Sequence, residues 1–146
     1  MTYDELLSSG RIRRENISLA EVRRAMELAE RDLRAARKIM KEERDWGFAV
    51  GYNAVLQASR ACMFAQGFRP ASAESHKNTL AFMQVALSQK QRSLVTYFDR
   101  MRKKRHQAVY DQAGLITAQE GRDLLKRAEE FVALVRRKLS DQGQAE

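Results

Sequence analysis

Apolar residues that recur at every third or fourth position, in a chain with one proline, are the feature that most constrains this fold. After Ser18, one such stripe consists of Val22, Met26, Ala29, Leu33, Ala36 and Met40. Near the C-terminus, a second consists of Leu124, Ala128, Phe131, Val135 and Leu139. Each stripe follows a Ser/Thr-x-x-Glu capping box, whose hydroxyl and carboxylate satisfy the free N–H groups of a helix start. These patterns predict amphipathic helices that begin at Ser18 and Thr117.

Three more helices are predicted between these two. The segment from about residue 45 to 66 is apolar or small on nearly every side, which is typical of a central helix, and Gly67 and Pro70 end it. Further helices are predicted over about residues 74–87 and 89–111. Because strand-forming runs are scarce, we expect an all-α fold, an antiparallel four- to five-helix bundle with up-and-down topology.

The domain organisation is expected to be simple. A chain of 146 residues without a repeat or a linker suits one domain, which we place at residues 18–140. Residues 1–17 are an N-terminal lead-in, with one or two helical turns and then a basic connector. The polar residues 141–146 are expected to form a disordered tail.

The charge points to an anionic partner. The chain carries 27 basic and 19 acidic residues, a net charge of +8, which suits nucleic acid, a nucleotide, an acidic protein or a membrane surface. A membrane partner is not expected, because the helix after Ser18 has an alanine-rich apolar face and no run is long enough to cross a bilayer.

Several other function classes are excluded by what the sequence lacks. The two histidines and the single Cys62 have no zinc-ligand spacing, and there is no glycine-rich phosphate loop, so we expect neither a metal nor a cofactor. His76 is interpreted as a surface residue at a helix start. The lone cysteine and the absence of a signal-peptide pattern lead us to expect a cytoplasmic protein.

The most unusual segment is a basic run in the fourth of these helices. Five of the six residues from Arg100 to Arg105 are cations, which repel one another along a helix. Leu94, Phe98 and Met101 form the inward stripe of that helix, and its next inward positions are 105 and 108. Arg105 therefore stands where the pattern requires an apolar residue. It must extend to solvent, pair with a carboxylate, or line a cleft or an interface.

A neighbouring face of the same helix combines several chemical groups. It carries Asp99, Arg102, Lys103, His106 and Tyr110 at spacings of three and four. A fixed cation, an imidazole that titrates near neutrality and a phenol could orient a phosphodiester and move a proton. Simple anion binding and a solvated cationic surface remain alternatives. On the central helix, the polar Asn53, Gln57 and Arg60 share one face, and either reach the bundle edge or belong to this site.

Two blocks of sequence resemble the HEPN family (higher eukaryotes and prokaryotes nucleotide-binding). The first runs from Tyr52 to Pro70, a small-residue-rich helix followed by a glycine–aromatic–basic–proline turn. The second runs from Arg100 to Asp111 and is similar to the family motif of an arginine, a polar residue and a histidine four to six residues after the arginine. The resemblance covers about residues 20–140.

The motif can be placed in two registers. Arg100 and His106 satisfy its spacing. Alternatively, Arg105 and the polar His106 begin it, and Tyr110 then occupies the histidine position. Some HEPN branches carry tyrosine at that position. In this register the resemblance implies the fold but does not decide whether the protein is catalytic.

The resemblance implies a bundle that forms a homodimer through its motif helix. It implies either a metal-independent endoribonuclease of a toxin–antitoxin or defence system, or a non-catalytic module that binds RNA, a nucleotide or a co-encoded minimal nucleotidyltransferase. The expected catalytic residues are Arg105, His106, Tyr110 and Arg100. The expected RNA- and phosphate-binding residues are Arg102, Lys103, Lys104, Arg60 and Asn53.

Overall fold

A computed structural model describes residues 1–143 of the chain. The elements are α1 (Tyr3–Ser8), β1 (Ile12–Arg14), α2 (Leu19–Ile39), α3 (Arg44–Ala65), β2 (Phe68–Pro70), α4 (Ser75–Ala86), α5 (Arg92–His106), a π-helical turn (Gln107–Asp111) and α6 (Ala118–Asp141). The fold is an all-α bundle, as the periodicity predicts.

Local sequence signals explain where the two amphipathic helices begin. The Ser18 hydroxyl accepts a hydrogen bond from the Glu21 N–H at the start of α2. At the start of α6, the Thr117 hydroxyl accepts from the Glu120 N–H, and the Glu120 carboxylate accepts from the Thr117 N–H. Both caps lie at the predicted positions, because a cap depends on neighbouring residues. Only Thr117 has the complete capping box that was predicted for both, since the Glu21 carboxylate pairs with Arg69.

The helix α3 forms the centre of the bundle. It packs against α2, α6, α4 and α5, and its buried residues occupy nearly every side of the helix. Gly47 permits a close approach at the start of α3, since a Cβ there would lie 2.6 Å from the Cα of Met40. Three long helices around an apolar centre bury one continuous core.

A two-stranded antiparallel sheet was not expected from the sequence. Ile12 in β1 pairs with Pro70 in β2, and Arg14 pairs with Phe68. The N-terminal segment is also more than a lead-in, since Leu6 and Ile12 are buried in the core. The pairing fixes the chain that leads from α3 into α4. Strands this short, joined at long range, have no periodic signal of their own.

The ends of the predicted elements differ in two places. The fourth helix was predicted over residues 89–111, but α5 begins at Arg92 after a turn closed by the Ser88 carbonyl, and a π-helical turn follows it. At the C-terminus, Asp141 is still the last residue of α6. Of the predicted disordered tail 141–146, residues 144–146 lie outside the described residues. Within residues 1–143, no helix is both long and apolar enough to cross a membrane.

Candidate functional site: a cationic cleft between α4 and α5

A cleft of about 590 Å³ lies between the start of α4 and the end of α5. One wall consists of Ser72 and residues 74–77, and the other of Arg102, Lys103, residues 105–107 and Asp111. We call this the α4–α5 cleft. It lies within one chain, so the basic segment forms a concave surface before any partner is considered.

The π-helical turn determines which side chains point inward beyond α5. The Gln112 N–H donates to the Gln107 carbonyl at 2.9 Å, a bond that spans five residues instead of four. Ala108 is buried in this turn, whereas Tyr110 is 67% exposed. Turns of this type interrupt the regular ladder of a helix and are frequent at functional sites.

Arg105 lies on the inward side of α5, partly buried. Its Nε atom is inaccessible to solvent and has no hydrogen-bond partner among the described residues. Its guanidinium carbon lies 5.9 Å from the centre of the Tyr52 ring. A buried donor on a permanent cation without an acceptor is unfavourable, so this group is well suited to an anionic ligand that supplies one.

Beneath Arg105, Tyr52 on α3 is fully buried and its hydroxyl also lacks a partner in the described part of the chain. Burial raises the pKa of Tyr52 well above its ordinary value, and the positive charges of Arg102 and Arg105 oppose this rise. The phenol therefore stays protonated and remains a potential donor. Sequence reasoning placed Tyr52 in the similarity block but not in the site.

His76 stands in the first turn of α4 and forms part of the cleft wall. It is partly buried, with its ring centre 6.0 Å from that of Tyr52, so its interpretation as a plain surface residue is wrong. Burial lowers the pKa of His76, and the charges of Arg105, Arg60 and Arg102 lower it further. Both effects favour the neutral form of the imidazole.

His106 is exposed at the end of α5 and lines the opposite wall. Its ring centre lies 4.9 Å from that of Tyr110, with the two planes inclined at 45°. Tyr110 itself is not part of the cleft lining. The predicted pair is thus in contact, with the imidazole in the cleft and the phenol outside it.

The remaining predicted residues divide between the cleft and other contacts. Arg102 and Lys103 line the cleft, and Arg102 also bonds to Asp99 at 3.4 Å. Arg60 on α3 is close enough to His76 to lower its pKa, but it does not line the cleft. Arg100 is exposed and acts electrostatically on Tyr97, on another side of α5.

Two of the predicted phosphate-binding residues are engaged elsewhere. The Asn53 amide donates to Asp32 at 2.8 Å, and Asp32 is a buried carboxylate on α2. Lys104 bonds to Glu120 in the first turn of α6. Their polar groups therefore join helices of the bundle, and neither residue lines the cleft.

Metal binding and cysteine chemistry were also considered for the described residues. Within residues 1–143, no group of three histidine, cysteine, aspartate or glutamate side chains is placed to hold a metal ion. Cys62 is buried, and burial raises the pKa of its thiol to about 11, so it remains a protonated core residue.

The chain matches a known family over most of its length. The HEPN domain pattern matches residues 22–138, from the first turn of α2 to near the end of α6. No curated protein and no solved structure matches the chain.

Proposed function

The chain belongs to the HEPN domain family, and on that premise we propose that it binds RNA in the α4–α5 cleft and cleaves it. The observation that carries the proposal is Arg105, which lines a cationic cleft and whose Nε is buried without a partner among the described residues. A phosphate oxygen would complete the hydrogen bonding of this group.

The charge of the cleft supports a phosphodiester as ligand. Arg102, Lys103 and Lys77 accompany Arg105 around the opening, and the chain as a whole carries a charge of +8. Exposed cations attract a nucleic acid backbone over long range, while a fixed guanidinium positions one phosphate by short hydrogen bonds.

The proposed reaction uses the 2′-hydroxyl of the RNA as nucleophile. This oxygen attacks the adjacent phosphorus, the bond from phosphorus to the 5′-oxygen breaks, and the products end in a 2′,3′-cyclic phosphate and a 5′-hydroxyl. Arg105 would hold the phosphate and stabilise its developing charge, and His106 would exchange the proton. Since the nucleophile belongs to the RNA, the reaction needs no metal-bound water.

We also propose that the protein acts as a homodimer in a toxin–antitoxin or defence system, paired with a nucleotidyltransferase. The exposed Tyr110 beside the cleft is the surface feature that favours an interface, because large aromatic residues are enriched in such contacts. In a dimer of this kind, two clefts would lie near the shared interface.

Tyr110 also favours a second candidate, a non-catalytic interaction module. In one register of the family motif it replaces the histidine, and it lies outside the cleft lining. Such a module would dock an acidic partner protein or a nucleotide through the same basic surface. RNA binding should weaken steeply with salt, whereas the module would bind a co-encoded nucleotidyltransferase and show no RNA affinity even at low salt.

The test compares Arg105→Ala with Arg24→Ala, which removes an exposed arginine from α2 and changes the net charge equally. Binding of labelled single-stranded RNA is measured over a salt series, and cleavage is measured with EDTA present. We expect Arg105→Ala to lose about tenfold or more in RNA affinity, to lower the salt slope by about 0.7, and to abolish cleavage. Equal binding and cleavage by the two variants would contradict the proposed function.

A further inference from the structure

The two histidines of the chain line the same cleft from opposite sides. His76 belongs to the α4 wall and His106 to the α5 wall, and Arg102 and Arg105 lie on the wall of His106. The 76 and 106 positions are 30 residues apart, and only the packing of α4 against α5 brings them together.

We infer that His76 is the proton acceptor and His106 the proton donor in RNA cleavage, so that one chain holds a complete acid–base pair. This inference rests on the proposed function. Cleavage by the 2′-hydroxyl requires one group that removes its proton and another that protonates the departing 5′-oxygen. Two imidazoles on opposite walls, with a guanidinium to hold the phosphate, supply both.

The surroundings of His76 suit an acceptor. The charged groups that face it are Arg60 on α3, Arg102, Lys103 and Arg105 on α5, and Glu74 and Lys77 on its own helix, with Asp111 at the far end of the cleft. Cations predominate, and Glu74 pairs with Lys77 at 3.9 Å. Burial lowers the pKa of His76, and the charges of Arg105, Arg60 and Arg102 lower it further, so the neutral imidazole is favoured.

The ring nitrogens of His76 are not used in a structural contact among the described residues. In the described part of the chain its imidazole makes no hydrogen bond, and its one ring contact is with Tyr52. The nitrogen atoms are therefore free to interact with a ligand in the cleft.

In the inferred step, a ring nitrogen of neutral His76 takes the proton of the 2′-hydroxyl as the oxygen bonds to phosphorus. The bond from phosphorus to the 5′-oxygen breaks, and protonated His106 gives its proton to that oxygen. His76 ends protonated and His106 neutral, and exchange with water restores both. No further reactant is needed.

The test is a pH profile of RNA cleavage by the full-length protein, comparing wild type, His76→Gln and Gln84→Ala. Gln84 lies on the same helix, two turns from His76, where it bonds to Thr96 at 3.0 Å, outside the cleft. We expect His76→Gln to lower kcat by about a hundredfold and to leave RNA affinity within about twofold of wild type. The acidic limb of the wild-type profile should lie below the usual histidine value of 6.5 and should vanish in His76→Gln. Gln84→Ala should match wild type.

Rescue separates a proton acceptor from a merely structural residue. Added imidazole should restore cleavage to His76→Ala, because a free base can fill the vacated position. As a measurement that needs no variant, the imidazole NMR signals of wild-type His76 should shift when a 2′-O-methyl oligonucleotide binds.

The outcomes distinguish the two claims. If His76→Gln cleaves RNA at the wild-type rate, His76 is not the proton acceptor, and the proposed nuclease stays intact. The same conclusion follows if the His76 signal does not shift when the 2′-O-methyl oligonucleotide binds. A wild-type protein that binds RNA and never cleaves it would overturn both the acid–base pair and the nuclease. A protein that does not bind RNA would overturn the proposed function itself.

Discussion

The guanidinium of Arg105 lies 5.9 Å from the centre of the Tyr52 ring, and neither the Nε of Arg105 nor the hydroxyl of Tyr52 has a hydrogen-bond partner among residues 1–143. Two buried donors, both without an acceptor among the described residues, cost free energy in the unliganded protein. Because Arg105 lines the α4–α5 cleft, we expect a ligand bound there to supply the missing acceptor of its guanidinium.

Tyr52→Phe tests whether the buried hydroxyl is costly. Removing a donor that has no acceptor should raise the free energy of unfolding by about 1 kcal/mol, as measured by urea unfolding at pH 7. Tyr97→Phe is a useful comparison at a second buried tyrosine, whose ring centre lies 4.7 Å from the guanidinium carbon of Arg127. A loss of stability in Tyr52→Phe would show that the hydroxyl is bonded in solution.

Arg105→Met tests whether the arginine is retained for function instead of stability. The position is inward on α5, so a long apolar side chain should raise the free energy of unfolding by about 1 kcal/mol. RNA affinity should fall in the same variant, as in Arg105→Ala. Arg24→Met, at an exposed site on α2, should leave both quantities unchanged. A clear destabilisation by Arg105→Met would mean that the guanidinium is satisfied within the chain.

These features were accessible from the sequence to different degrees. The inward position of Arg105 follows from the spacing of Phe98 and Met101, because helical periodicity is local. The caps at Ser18 and Thr117 are equally local. The cleft position of His76 could not be deduced, since it depends on how α4 packs against α5.

Asn53 and Lys104 were predicted to bind phosphate, but each side chain bonds to a residue on another helix. Asn53 was grouped with Arg60 because both lie on one face of α3, but a buried Asp32 on α2 takes its amide. Lys104 belongs to the basic run, yet the first turn of α6 supplies its partner, Glu120. A run of charges does not reveal which members another helix neutralises.

The Lys104–Glu120 contact predicts a pH dependence of stability. The bond from Lys104, followed by the bond from the Thr117 backbone, holds the pKa of Glu120 below its usual 4.5. Because the folded value is the lower one, Glu120 contributes stability above pH 4.5, and that contribution is lost as the pH falls through the folded value. Glu120→Gln should therefore be less stable than wild type by about 1 kcal/mol at pH 7.

The difference between wild type and Glu120→Gln should shrink as the pH is lowered from 4.5, when unfolding is followed by circular dichroism at each pH. Glu27→Gln, at an exposed position on α2, serves as the control and should match wild type throughout. A difference that stays constant down to the acid limit would mean that the Glu120 charge has no part in the cap.

The packing around Met40, at the end of α2, predicts contrasting effects of substitutions at Gly47 on α3 and Gly121 on α6. An alanine Cβ at Gly47 would lie 2.6 Å from the Met40 Cα, which cannot move alone, whereas at Gly121 it would meet the flexible Met40 Sδ at 2.8 Å. We expect Gly47→Ala to lower the free energy of unfolding by about 2 kcal/mol and Gly121→Ala to change it by less than about 1 kcal/mol. Thermal unfolding of both variants checks this, and equal effects would contradict the packing described here.

NMR can observe whether the Nε–H group of Arg105 bonds to RNA. In protein with ¹⁵N-labelled arginine, its signal is assigned by its absence from Arg105→Lys, and a 2′-O-methyl oligonucleotide is added as an uncleavable ligand. We expect a downfield shift of the Arg105 Nε–H proton, as a phosphate oxygen becomes its acceptor, with no change for Arg24. An oligonucleotide that binds and leaves the Arg105 signal unmoved would contradict this prediction.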